Sequence, residues 1–338
     1  MCIRRGITGN SGVIHSRQYG GFDDWAKSDC YNVCILGCVD VIVNIAGNHK
    51  YPGIWDGVYY FKLADYPKIT NWELTKLLWF YNYEKKHNRN TEFVCDNHAI
   101  ITAVKLALSA PDSYIPAQMP NVVPGCTACK QIGCLTEYLC HGTAIESAKS
   151  IFECGKILSA VNARGKPAQE LQGEKRQASK DPLDYFDYVM MSWGSCIAGD
   201  SLVMERMLGK FPNETEFSTG FKPGVRFFFK YDTMVNHIGF VNDGYHPGKV
   251  KDEILLSESL YCCIIPEHHR LDFTGVIPFN LADKVIYVEN DCKDIYDWTK
   301  KVYGVVCSYS NSPLNGPVRA ENSERFNAFS ATGGADLK

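Results

Sequence analysis

The chain has 338 residues, a formal net charge of -3 and 45% hydrophobic residues, values typical of a folded globular protein. The small charge excludes a global positive field that would draw the chain to nucleic acid or anionic lipid. No apolar run reaches the roughly 18 residues of a membrane span, and residues 1–12 lack the apolar core of a secretory signal. We therefore expect a cytoplasmic protein, large enough for two domains, whose 15 cysteines are reduced.

The N-terminal third has the pattern of a small α/β domain, which we place at residues 31–115, after an irregular lead-in at 1–30. An apolar, β-branched run (VDVIVNIA) predicts a buried first strand, and apolar residues at helical spacing in ELTKLLWFYNY predict a helix. The predicted elements, in chain order, are strands at 39–46 and 58–63, a helix at 73–83 with Asn71 as its cap, a strand at 92–95 and a helix at 99–109.

Residues 110–134 interrupt this periodicity with four prolines and two glycines, a composition typical of an interdomain linker. We place the linker proper at 116–134 and a second domain at 135–307. The Ser-, Asn- and Gly-rich stretch at 308–338 predicts a disordered tail.

The second domain opens with a strand, a short polar motif and a helix. A strand predicted at 135–139 runs into the sequence CHGT, and an amphipathic helix follows at 144–154. Thr143 and Glu146 have the spacing of a capping box, and Gly155 stands where a left-handed helix terminus belongs. Further strands are predicted at 188–192, 225–230, 253–256, 259–265 and 284–288, with long polar loops at 161–184 and 234–250.

Three features of this domain follow one another along the chain: His141-Gly142-Thr143 at a strand end, Tyr188 and Ser192 in a Y-x-x-x-S strand, and Glu253 opening a late strand. Over about residues 135–290 this order resembles the ADP-ribosyltransferase superfamily. YLCHGTAIESAKSIFECGKILSA is similar to the opening of RNA 2′-phosphotransferases and poly-ADP-ribose-polymerase-like enzymes. VKDEILLSESLYCCIIPEHHR is similar to the late glutamate strand of DarT-type DNA ADP-ribosyltransferases. The resemblance implies an α+β fold, in which the smaller α/β domain precedes a split β-sheet ADP-ribosyltransferase-like domain.

The resemblance also implies a transferase of the glycosyltransferase class that consumes NAD as its co-substrate. Breaking the nicotinamide–ribose bond builds positive charge on the ribose, as in glycoside cleavage. Glu253 would stabilise that charge and orient the acceptor, and His141 would hydrogen-bond a ribose hydroxyl. The acceptor, a nucleic acid, a protein or a small molecule, is not specified by the sequence. The residues implied to contact NAD are His141, Gly142, Thr143, Tyr185, Tyr188 and Ser192.

Other interpretations of the same residues stay open. His141-Gly142-Thr143 alone is a common strand-to-helix turn, and Tyr188 is as typical of a core as of a cofactor contact. Glu253 competes with Glu258 for the catalytic role, and either is compatible with a surface glutamate. Transfer of an RNA 2′-phosphate to NAD would require arginines around the site, for which the candidates are Arg164, Arg176 and Arg226. A non-enzymatic binding protein built from inactive domains is the third interpretation.

Four cysteines, three in the linker and one at the end of the strand that follows it, have the spacing C-x2-C-x4-C-x5-C. They are Cys126, Cys129, Cys134 and Cys140. The first pair suits tetrahedral Zn²⁺, and His141 is an alternative fourth ligand. Reduced thiols without a metal are the other interpretation, since one cysteine falls in the predicted strand.

The N-terminal domain has a fainter resemblance, to dual-specificity phosphatases, in its order of strands and helices. Cys95 stands at the nucleophile position and Asp65 at the general acid, but Ile101 occupies the position of the phosphate-binding arginine. The glycines of the phosphate cradle are also missing, so we expect an inactive phosphatase-like scaffold. VDVIVNIAG is similar to the opening strand of macrodomains, which bind ADP-ribose, without their glycine-rich continuation. An unrelated α/β domain fits equally well.

Overall fold

The computed structural model describes residues 39–47, 58–114, 137–173, 181–210 and 212–309. These residues belong to one compact unit of mixed helix and strand, as the α+β prediction requires. The predicted lead-in and linker lie outside the described residues, so the domain boundaries stay predictions. No helix among the described residues is long and apolar enough to cross a bilayer.

Twelve strands are described: β1 (Val41–Ala46), β2 (Val58–Lys62), β3 (Thr91–Val94), β4 (Tyr138–Thr143), β5 (Lys156–Leu158), β6 (Tyr188–Trp193), β7 (Val225–Lys230), β8 (Phe240–Val241), β9 (Gly248–Lys251), β10 (Glu253–Leu255), β11 (Cys262–Pro266) and β12 (Val285–Val288). The described helices are α1 (Asn71–Lys86), α2 (His98–Ser109), α3 (Ile145–Cys154), α4 (Ala160–Arg164), α5 (Ala168–Gly173), α6 (Ile197–Leu208), α7 (Glu214–Ser218), α8 (Tyr231–Met234), α9 (Leu256–Ser259) and α10 (Ile295–Tyr309). Short 3₁₀ turns lie at Pro111–Ser113, Leu183–Asp187, Glu267–Phe273 and Phe279–Lys284.

The first sheet is small and parallel, with strand order β2-β1-β3. Its strands and helices occur where the sequence predicts them, because β-branched and aromatic side chains such as Val43 and Tyr59 are buried against α1 and α2. The predicted cap is wrong by one residue. Thr70, not Asn71, caps α1, and the Glu73 carboxylate accepts from the Thr70 backbone N–H to complete a capping box.

The second sheet has seven strands in the order β12-β11-β7-β4-β6-β9-β8. Side chains of its central strand β7 alternate between two cores. Phe227 and Phe229 pack with α3 on one face, whereas Phe228 packs with α6 and α10 on the other. Because both faces are covered, five of the six residues of β7 are buried, Arg226 among them, and the strand lacks the alternation typical of a surface strand.

The sheet divides at β4 and β6, next to the predicted motif. The two strands pair only through Leu139 with Trp193 and Cys140 with Ser192. The earlier residues of β6 pair with β9 instead, while β4 continues along β7 as far as Thr143. A separate two-stranded sheet joins β5 to β10.

Several predictions of irregular structure are wrong. The loop predicted at 161–184 contains α4, α5 and a 3₁₀ turn in its described part, because Ser159 caps α4 and Leu171 is buried. The loop predicted at 234–250 contains β8 and β9. The first two residues of the tail predicted at 308–338 belong instead to α10, which extends to Tyr309; the rest of the predicted tail lies outside the described residues.

The two sheets meet through α1 and a set of aromatic and charged residues. Tyr83 donates to Asp184, and Trp79 donates to the backbone carbonyl of Asn242 at 2.5 Å. We call the residues at this contact the tyrosine cluster: Tyr59, Tyr83, Tyr185, Asp243 and Lys249.

Candidate active site

The sequence predicts that His141 follows a strand, but in the structure it lies inside β4. It pairs with Phe227 in the sheet, and its imidazole reaches across the division between β4 and β6. Its Nδ1 lies 3.0 Å from the carbonyl oxygen of Met190, an arrangement in which Nδ1–H donates and Nε2 faces away from that bond. Burial lowers the pKa of His141. The ring is therefore neutral at pH 7, with Nε2 able to accept a hydrogen bond.

Gly142 allows a helix to approach the strand closely. A side chain here would contact the Cys196 sulfur at 3.2 Å and the backbone of Gly199 at 3.4 Å. Thr143 is buried and paired with Val225 in the sheet, so it forms no capping box. The prediction that Thr143 and Glu146 cap α3 is wrong: the cap residue is Ala144, and no side chain caps the helix.

The other end of α3 is as predicted. Gly155 adopts φ 72° and terminates the helix, and the chain turns directly into β5. Ala148 and Phe152 are buried against the core on the predicted helical face. Strand β5 therefore begins one residue after this glycine, with Lys156 as its first residue.

Glu253 opens β10, which pairs antiparallel with β5. Its carboxylate accepts from the Lys156 ammonium at 2.8 Å, and both side chains are partly exposed, at 39% and 35%. The same contact raises the pKa of Lys156. Glu258 lies on α9 and is exposed to solvent.

Three segments predicted from the sequence converge at the residue before Glu253. Asp252 adopts φ 66°, a left-handed conformation that few non-glycine residues take. Its carbonyl accepts from the N–H of Ser159, the residue directly after β5, at 2.7 Å. Its own N–H donates to the Asp187 carbonyl at 2.8 Å, immediately before Tyr188. Glu253 is thereby fixed between β5 and the beginning of β6.

Strand β6 connects this turn to His141. Tyr188 begins the strand beside the Glu253 turn, and the Met190 carbonyl two residues later holds the His141 ring. Among the described residues, no hydrogen bond or ion pair joins His141 directly to Glu253; their positions are related through this shared strand.

The remaining predicted contacts lie in two different places. Tyr185 is buried in the tyrosine cluster, where its hydroxyl lies 3.3 Å from Asp243. Ser192 faces the opposite end of β6, where its hydroxyl donates to the Cys140 carbonyl and lies 3.5 Å from the Cys196 sulfur. Tyr188 is partly buried, pairs with Lys251 in the sheet and directly follows Asp187, whose carbonyl accepts from the Asp252 N–H.

Sequence reasoning missed Lys156, Asp252 and Cys196. Lys156 pairs with Leu255 and reaches Glu253 diagonally across the antiparallel pair, a contact that is visible only when the register is known. Cys196 begins α6 with φ 53° and lies against Gly142, a long-range contact that no local pattern predicts. Of these three residues, only Asp252 had a local signal in the sequence: aspartate tolerates the left-handed conformation, so its position before Glu253 could have indicated the turn.

Only one of the four cysteines predicted as zinc ligands lies among the described residues. Cys126, Cys129 and Cys134 lie outside the described residues, and Cys140 is buried in β4. Within the described ranges, no group of three or more His, Cys, Asp or Glu side chains could hold a metal ion. The zinc site stays a prediction. All eight described cysteines are free thiols, five of them buried.

Two arginines predicted for a phosphotransferase site are described. Arg226 is completely buried and forms an ion pair with Asp200 and a hydrogen bond to Thr299. Arg164 ends α4, on the chain that follows the Ser159 cap. Arg176 lies outside the described residues.

The phosphatase-like motif of the small sheet has a poorly activated thiol. Cys95 follows β3, and burial together with the neighbouring Asp96 raises its pKa, although the Asn97 N–H donates to the sulfur at 3.4 Å. A nucleophilic thiol requires the opposite shift. Asp65 is exposed and pairs with Lys68.

No family model, curated protein or solved structure matches this chain. Residue chemistry and geometry therefore carry the functional inference.

Proposed function

We propose that this chain transfers ADP-ribose from NAD to an acceptor, with Glu253 and His141 as its principal residues. The observation that supports this most is the pair of hydrogen bonds at Asp252, which brings the end of β5, the start of β6 and Glu253 to one point. The two hydrogen bonds join Asp252 to residues 93 and 65 positions earlier in the sequence (252 − 159 and 252 − 187), so no local pattern brings these segments together. A carboxylate held by backbone bonds is preorganised for charge stabilisation.

Glu253 supplies the negative charge in this mechanism. As the nicotinamide–ribose bond breaks, positive charge grows at the anomeric carbon, and a nearby carboxylate stabilises it. The Lys156 ammonium pairs with the carboxylate at 2.8 Å and restricts its rotamer. Because both side chains are partly exposed, NAD or the acceptor can displace this contact without uncovering a buried charge.

His141 supplies a hydrogen bond to ribose. With Nδ1–H donated to Met190, the neutral ring presents Nε2 as an acceptor for a ribose hydroxyl. Since the pKa of His141 is lowered, this acceptor persists to a pH below the ordinary histidine range. NAD affinity is therefore expected to stay constant from pH 8 to about pH 6.5 and to fall only under more acidic conditions.

Nicotinamide would lie against the segment between these residues. Gly142 and Thr143 offer backbone groups next to His141, and Tyr188 offers an aromatic ring next to Glu253. The burial of Tyr185 leaves Tyr188 as the ring that we propose for stacking. Because the Ser192 hydroxyl faces Cys196, we propose that Ser192 positions β4 and does not contact the cofactor.

The RNA 2′-phosphotransferase alternative is less well supported. The buried ion pair of Arg226 with Asp200 occupies the guanidinium that would bind phosphate. A phosphate would have to replace Asp200 in a site closed to solvent, at a large desolvation cost.

Substitution of His141 by alanine tests the proposed cofactor contact. We expect His141→Ala to weaken NAD binding about tenfold, because one ribose hydrogen bond is lost, while changing the melting temperature by only a few degrees. Calorimetric titration with NAD, beside thermal melting of the same samples, measures both quantities. The matched control is His98→Ala, which removes an exposed imidazole from the start of α2.

The opposite pattern would remove His141 from the site. A variant with a much lower melting temperature and unchanged NAD affinity per folded molecule would show that the imidazole only supports the sheet. Absence of NAD binding in the unsubstituted protein would favour a non-enzymatic binding protein.

A further inference from the structure

We propose that Cys140 and Cys196 form a peroxide-sensitive thiol pair, which closes to a disulfide between β4 and the start of α6. Cys140 lies in β4 and pairs with Ser192 in the sheet, and Cys196 is the residue directly before α6. Both cysteine side chains are buried in the same core. The disulfide would tie the strand that carries His141 to a neighbouring helix, a modification that goes beyond ADP-ribose transfer.

Ser192 connects the two cysteines. Its hydroxyl lies 3.3 Å from the carbonyl oxygen of Cys140 and 3.5 Å from the sulfur of Cys196. The thiol of Cys140 also donates directly to the sulfur of Cys196. The two sulfur atoms are therefore neighbours, which is the first requirement for a disulfide.

Cys196 has the surroundings of a reactive thiol. Its sulfur lies over the first turn of α6, where a side chain at Gly199 would meet it at 2.7 Å, and a helix N-terminus favours negative charge on sulfur. The hydrogen bond from the Cys140 thiol is the main cause that lowers the pKa of Cys196, and the Arg226 guanidinium lowers it further. Burial and the Asp200 carboxylate act in the opposite direction but do not cancel these effects.

The Arg226 guanidinium has one N–H group without a partner. Its other nitrogens donate to Asp200 and Thr299, but Nη1 is buried and no described residue accepts from it. An unpaired buried donor is unusual in a folded protein. Arg226 acts on Cys196 strongly enough to lower its pKa, so negative charge formed on that sulfur would reduce the imbalance.

Cys140 has the complementary property. Burial and the neighbouring Cys196 raise the pKa of Cys140, so this thiol keeps its proton when Cys196 ionises. The two residues thus differ as an attacking thiolate and a resolving thiol differ in redox-sensitive pairs.

The reaction uses one molecule of hydrogen peroxide and has two steps. The Cys196 thiolate attacks one peroxide oxygen, the O–O bond breaks, and the hydroxide that leaves takes up the thiol proton to become water. The sulfur of Cys140 then attacks the sulfenic acid at Cys196, the S–O bond breaks, and the hydroxyl group leaves with the Cys140 proton as a second water. Two thiols are oxidised to one disulfide, and one peroxide is reduced to two waters.

Glycine backbone gives a small oxidant a short path to Cys196. A side chain at Gly142 would contact the sulfur at 3.2 Å, and Gly199 lies against it from the helix. Both glycines are partly exposed, so solvent comes within one residue of the buried sulfur. A molecule close to water in size needs little movement of the surrounding chain to reach it.

Mass spectrometry of the full chain tests the proposal. The chain is reduced, freed of reductant and treated with hydrogen peroxide at neutral pH, and is then digested with trypsin. We expect peptide 131–149 to be joined to peptide 181–206, and dithiothreitol to separate them. Peptide 131–149 also contains Cys134, so Cys140→Ser, which should abolish the link, identifies the partner. Cys154→Ser removes an exposed thiol and should leave the link unchanged.

A second variant keeps both cysteines. Ser192→Ala removes the hydroxyl that donates to the Cys196 thiolate and should slow formation of the link about tenfold, with a melting temperature within a few degrees of the unsubstituted chain. This variant tests the pair even if Cys140→Ser does not fold.

Three results would overturn the proposal: no link in the unsubstituted chain with excess peroxide, a link that persists in Cys140→Ser, or a normal rate in Ser192→Ala. None of these measurements uses NAD. A failure of the proposed transferase activity therefore leaves the test of the thiol pair unaffected.

Discussion

Two lysine–carboxylate pairs with nearly the same geometry have opposite surroundings. Lys249 lies 2.9 Å from Asp243 and Lys156 lies 2.8 Å from Glu253. The first pair is completely buried between the two sheets, whereas the second is more than one-third exposed on both sides. The difference indicates that the buried pair is fixed as part of the structure, while the exposed pair can open for a ligand.

The buried pair is embedded in further contacts. Asp243 also accepts from the backbone N–H groups of Tyr245 and His246. The Lys249 ammonium lies 3.6 Å from the ring centre of Tyr185 and 4.0 Å from that of Tyr83. Burial alone would raise the pKa of Asp243, but Lys249 and His246 outweigh it and hold that pKa well below its usual range. The Asp243 carboxylate is therefore ionised in the folded protein.

Breaking the buried pair should have the largest effect on stability. Lys249→Met leaves the Asp243 charge buried without its cation, which typically costs about 3–5 kcal/mol. Lys156→Gln is the matched control, because loss of a partly exposed pair costs at most about 1 kcal/mol. Urea unfolding of both variants measures the two free energies. Equal losses would show that burial does not distinguish the pairs.

A third carboxyl near the buried pair sharpens the comparison. Burial raises the pKa of Asp181 to about 6, and the attraction of His246 and Lys249 does not cancel this effect. The folded protein thus binds more protons than the unfolded chain between about pH 4 and pH 6, and stability falls as pH rises through that window.

Asp181→Asn removes this titration. We expect the variant to be more stable than the unsubstituted protein at pH 7, by at most about 3 kcal/mol, and equally stable near pH 4. Thermal melting at the two pH values measures the difference. A variant that is less stable at pH 7 would show that the Asp181 charge contributes favourably to the cluster.

Local patterns were enough to predict most strands and both helices of the small sheet. The β-branched residues of β1 predict a buried strand, and the apolar residues of α2 predict a helix with a buried face. Gly155 was predicted as a helix terminus because few other residues adopt its conformation.

The features that the sequence could not predict depend on pairing between residues far apart in the chain. Thr143 has the spacing of a capping residue, but its pairing with Val225 keeps it in the sheet. Lys249 stands in a stretch rich in glycine and asparagine, which is typical of a loop, yet its partner Asp243 and three tyrosines bury it. Glu253 could be predicted as a site residue from its position at the start of a strand. Its ion pair with Lys156 could not, because that contact depends on the register of β5 and β10.

The central claim is that Glu253 stabilises positive charge on the ribose of NAD, and nicotinamide release by the purified chain tests it most directly. Glu253→Gln keeps the side-chain size and removes the charge. We predict that it lowers the rate of nicotinamide release on the order of 10²–10³-fold, with a melting temperature close to that of the unsubstituted protein. Glu258→Gln, on the exposed face of α9, should release nicotinamide at the normal rate. Near-normal release by Glu253→Gln would contradict the claim.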